Sequence, residues 1–89
     1  MTTFQIVFSV NEKNYKAHVL RVSGNPVQYL VSLERPTDLK ISDPFVITAN
    51  LKNEQIEYGF HDEHPTVGHS IALAVKKYCY ENGIPLLED

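Results

Sequence analysis

Three histidines, His61, His64 and His69, stand close together with Asp62 and Glu63 between the first two, the densest local set of metal ligands or proton carriers in the chain. Zinc takes imidazole nitrogen and carboxylate oxygen in a tetrahedral shell, and a loop feeding a helix can gather three such side chains. The spacing is not that of a helical zinc motif. Two ligands on one helix face sit at i and i+4, whereas His64 and His69 are five apart and fall about 140° apart on a helical wheel. The same residues also suit a helix entrance, where Asp62 and Glu63 complement the positive end of the helix dipole without any ligand.

Other chemistry has less to build on. Cys79 has no acid or histidine in its turn and reads as a small buried hydrophobe. Ser23 and Ser70 lie beside no base in a recognisable motif, and the glycines, at 24, 59, 68 and 83, form no phosphate loop. With no assembled acid, base or nucleophile, the chain is expected to be no enzyme and to need no cofactor. Lys13, Lys16 and Arg21 share one hairpin and offer a small basic set for nucleic acid. The net charge of −3 and the absence of an aromatic platform beside them weigh against that use.

These side chains are positioned by elements that the apolar pattern outlines. Eighty-nine residues, 43% hydrophobic and 21% charged, suit one domain spanning 1–89. Apolar residues alternate with polar ones from Phe4 to about Phe60 and then recur at helical spacing until Asn82-Gly83. The fold class is therefore α+β. An antiparallel sheet of about five strands, arranged in hairpins or a meander, carries one C-terminal helix on one face.

Strands are expected near 4–10, 15–22, 27–34, 45–50 and 55–60, with turn residues at Asn11-Glu12-Lys13-Asn14, Ser23-Gly24-Asn25-Pro26 and Lys52-Asn53-Glu54. The stretch from Arg35 to Pro44 reads as a crossing loop with room for a short edge strand. A helix is expected over about 65–82. Pro65 suits its first turn. Val67, Ile71, Ala74, Val75 and Tyr78 form its core stripe, flanked by Ala72 and Cys79, and Gly83 supplies a left-handed end followed by the apolar Ile84.

Alternation assigns Phe4, Ile6, Phe8, Tyr15, Val19, Tyr29, Val31, Ile47, Ile56 and Tyr58 to the face under the helix. The other face carries Gln5, Val7, Ser9, Lys16, His18, Leu20, Gln28, Leu30, Ser32, Val46, Thr48 and Glu57, a mixed set suited to a partner. On the helix, Leu73 and Tyr80 fall outside the core stripe beside Lys76, and tyrosine is favoured at interface centres. The expected function is thus protein–protein interaction or self-association through Leu73, Lys76 and Tyr80, with Leu20 and Leu30 on the sheet. The first residues read as a strand and not a signal peptide, no run is long enough to span a bilayer, and a lone cysteine suits a reducing compartment, so the cytoplasm is the expected location.

Overall fold

A computed structural model describes residues 2–24, 26–41, 43–53, 55–60 and 65–87, with only the backbone for 51, 52, 55–57 and 60. The chain has an α+β fold in which β1 (Thr2–Val10), β2 (Lys13–Val22), β3 (Gln28–Leu33), β4 (Phe45–Lys52) and β5 (Gln55–Phe60) precede the helix α1 (Pro65–Glu81). The strands lie in sequential order, each antiparallel to the next. This meander needs no crossover, and its tightest turns are set by local chemistry. Asn11 and Glu12 both take positive φ, 50° and 67°, as a two-residue hairpin turn with the right-handed strand twist requires. Asn53 does the same between β4 and β5, at 52°.

The register puts every second residue on one face. Phe4 faces Val19, Val19 faces Val31, Val31 faces Phe45, and Tyr29 lies between Arg21 and Ile47. These side chains are buried beneath α1. The helix backbone comes nearest to the two outermost strands, β1 and β5, so the sheet curls about it. On β1 the Phe4 ring stacks on Tyr78 with centroids 4.2 Å apart and planes within 4°.

The helix is rotated from the expected stripe. Gly68, Ala72 and Cys79 are buried with Val67, Ile71 and Val75, while Ala74 and Tyr78 are only partly so. Gly68 and Ala72 bring little apolar side chain of their own, so their burial is not something a hydrophobicity pattern reports. At its end the Ile84 amide donates to the Cys79 carbonyl at 2.9 Å around Gly83, whose φ is +66°, the expected left-handed termination.

Two segments close the ends of the core. The loop 34–44 forms no strand among its described residues. Its Leu39 and Ile41 pack against the core, and Asp38 accepts from Lys13 Nζ at 3.1 Å and from the Tyr15 hydroxyl at 2.9 Å. The opposite end is covered by the tail after α1, whose Ile84, Leu86 and Leu87 pack on the same core.

Candidate functional site

The tail is held by two buried groups of the sheet. Arg21, only 6% exposed, donates from its guanidinium to the Pro85 carbonyl at 2.8 Å. Next to it in register, the fully buried Tyr29 donates its hydroxyl to the Leu86 carbonyl at 2.6 Å. The Cys79 thiol in turn donates to the Tyr29 oxygen at 3.9 Å. A guanidinium placed among apolar side chains is costly unless its hydrogen bonds are met, and a tail carbonyl meets part of that need here. Burial pushes the Tyr29 hydroxyl up to about 12. It also pushes the Cys79 thiol up, the reverse of what an activated nucleophile requires.

Between this fixed tail and α1 lies a groove of about 550 Å³. Leu73 and Tyr80, 49% and 89% exposed, form the helix side, Ile84 and Leu86 the tail side, and Cys79 the floor, with Lys76 and Lys77 along the rim. One strap thus serves two purposes, sealing the core with its carbonyls and presenting apolar side chains to the groove. The three helix residues singled out from sequence, Leu73, Lys76 and Tyr80, come together in it. Ile84 and Leu86 were missed as groove residues, and the available signal was their position just past a glycine-terminated helix.

Leu20 and Leu30 are cross-strand partners on the outer sheet face, in line with Thr3 and Val46. They are half-buried, and with Gln5, His18, Ser32 and Pro44 they line a shallower hollow of about 470 Å³. Its mixed lining makes it a weaker docking surface than the helix groove. The two surfaces are on opposite sides of the sheet and do not form one site.

Lys13, Lys16 and Arg21 do not form a basic patch. Strand period places Lys13 and Arg21 on one side and Lys16 on the other, Lys13 is paired with Asp38, and Arg21 is buried under the tail. Of the histidines, His69 is exposed on α1, while His61 and His64, with Asp62 and Glu63, lie outside the described residues. Among the described residues no group of three or more His, Cys, Asp or Glu side chains could hold a metal ion. Ser70 donates to the Thr66 carbonyl one turn earlier at 3.1 Å, and Ser23 is exposed.

The fold and the groove together define a small α+β domain with a strapped apolar cleft on its helix. Comparison with protein-family models, with curated proteins and with solved structures finds no match to the chain. Among the described residues no helix is long and apolar enough to cross a membrane.

Proposed function

We propose that the protein is a binding module without catalysis, docking an apolar segment of a partner protein in the groove between α1 and the tail. The observation that carries this reading is the exposure of Tyr80 and Leu73 opposite Ile84 and Leu86, with that second wall fastened through Pro85 and Leu86 to the buried Arg21 and Tyr29. A wall already ordered before binding reduces the entropy lost on association. Lys76 and Lys77 on the rim favour a segment flanked by acidic residues, since charge complementarity at a rim selects partners and speeds encounter.

The test replaces Tyr80 with a photo-crosslinking phenylalanine analogue in the cells that make the protein, with the same analogue at exposed Lys16 as the control. A discrete adduct at position 80, absent at position 16 and lost on Leu73→Asp, is the expected outcome. Identical labelling from both positions would sink the proposal. With the captured partner segment in hand, Leu73→Asp with Tyr80→Asp should weaken binding by about 30-fold or more, since central aromatic anchors contribute at least ~2 kcal/mol.

A further inference from the structure

β1 is an edge strand whose outer side meets no other strand among the described residues. Its sequence, Thr-Thr-Phe-Gln-Ile-Val-Phe-Ser-Val, contains no charge and no proline, and its ladder with β2 runs without a bulge from Thr2 to Val10. Proteins that keep such edges apart usually place one of those features there. Because Val10 and Lys13 close the two-residue turn, the even-numbered residues of β1 exchange hydrogen bonds with β2. The N–H and C=O groups of Thr3, Gln5, Val7 and Ser9 therefore point outward.

We propose that this edge joins two copies of the chain, β1 pairing antiparallel with β1 of a second copy about a two-fold axis at Ile6. In that register Gln5 lies opposite the other copy's Val7, and Thr3 opposite its Ser9. All four outward residues of each copy are then matched, giving eight main-chain hydrogen bonds, close to the ~10 of an ordinary interface. Side chains of like face remain together, Phe4 beside the other copy's Phe8, so the two curled sheets become one ten-stranded sheet with both helices on the same side.

The helix flank fits the same symmetry. Along the open edge, Ser70, Leu73, Ala74 and Lys77 stand over Val7 to Ser9, while Lys77, Tyr78 and Glu81 stand over Gln5 to Val7, so α1 runs antiparallel to β1. The two-fold brings the Glu81 end of one helix to the Lys77 region of the other. Lys77 and Glu81, already 3.8 Å apart within one helix, become reciprocal charges across the axis. Val7, 57% exposed on the outer face, gains the stem of Gln5 as its neighbour. Leu73 and Lys77 border both this edge and the groove, whereas Tyr80 belongs to the groove alone, so a substitution at Tyr80 separates the pairing from groove binding.

Sedimentation velocity from micromolar to millimolar protein is expected to show a dimer. Val7→Pro removes an outward N–H and leaves the β2 ladder intact. In a symmetric dimer it deletes two bonds and should weaken association about 100-fold, roughly tenfold for each. Tyr80→Glu should leave it unchanged. The register is read by mixing Gln5→Cys protein with Val7→Cys protein under mild oxidation. Facing Cα atoms about 5.5 Å apart allow a disulfide, whereas like positions are two residues out of step and beyond the ~7 Å limit. The mixture should therefore cross-link and neither protein alone should, with native Cys79 buried out of reach. A monomer throughout, a dimer indifferent to Val7→Pro, or cross-linking no better in the mixture than alone would each overturn the proposal. Should Val7→Pro fail to fold, the cross-linking result decides.

Discussion

The Tyr29 hydroxyl donates to the Leu86 carbonyl at 2.6 Å, tying the third strand to a tail residue 57 positions later. Because the ring is buried and Leu86 lines the groove, core stability and groove shape are linked through one bond.

Tyr29→Phe keeps the ring and removes the donor. It should cost about 1–2 kcal/mol in urea unfolding, since the Leu86 carbonyl loses a part-buried partner. Hydrogen exchange at Leu86 and Leu87 should rise in the same variant. Unchanged exchange there would show that the tail is held by packing and by Arg21 alone.

Alkaline pH should loosen the same junction. Tyr29 titrates near 12 in the folded chain and near 10.0 in its ordinary state, so between those values the folded state keeps a proton that the unfolded state gives up. Stability from this group is complete below pH 10 and is lost as the pH rises toward 12. Cys79, also pushed up by burial from 9.0, acts in the same direction from lower pH. The melting temperature of Tyr29→Phe should therefore fall less steeply over that interval than that of the parent chain. Parallel curves would remove Tyr29 from the explanation.

Gly83 is a position where conformation alone is at stake, for its φ is +66° and nothing lies within 4 Å of where a Cβ would sit. Gly83→Ala should destabilise by about 1 kcal/mol, the cost of a left-handed alanine, and Gly83→Asn by less. Thermal unfolding of the pair separates this from a steric effect, which would rank the larger asparagine worse.

Glu12 holds φ at 67° in the first turn, where glycine suits the geometry better. Glu12→Gly should stabilise by roughly 0.5–1 kcal/mol, the relief of left-handed strain less the entropy of a freer chain. A loss of stability in urea would mean that the glutamate side chain contributes more than the turn gains.

Much of this was legible in the residues. Phe4, Ile6, Phe8 and Val10 at every second position mark the inward side of β1 even though Val7 interrupts the polar side, and Asn82-Gly83-Ile84 encodes a helix stop within three positions. The exposure of Leu73 and Tyr80 followed from the wheel. Arg21 did not, although it shares parity with Ala17 and Val19, because a buried guanidinium depends on the Pro85 carbonyl 64 residues away. The groove wall was hidden for the same reason. A tail after a glycine can leave in many directions, and only long-range bonds choose one. Gly68 and Ala72 were underweighted as core because periodicity counts hydrophobicity, of which a glycine or an alanine carries little.

The sequential strand order also dictates how quickly each part of the molecule can be reached from an open chain. No ladder closes a loop longer than residues 34–44, whereas stacking Phe4 on Tyr78 brings together positions 74 apart. That closure costs roughly 1.7 kcal/mol more in chain entropy than the loop 34–44 does. The hairpins are therefore set to form first and the helix to seat last, so a Tyr78→Ala chain should fold at nearly the parent rate and unfold faster, a split that a chevron plot resolves.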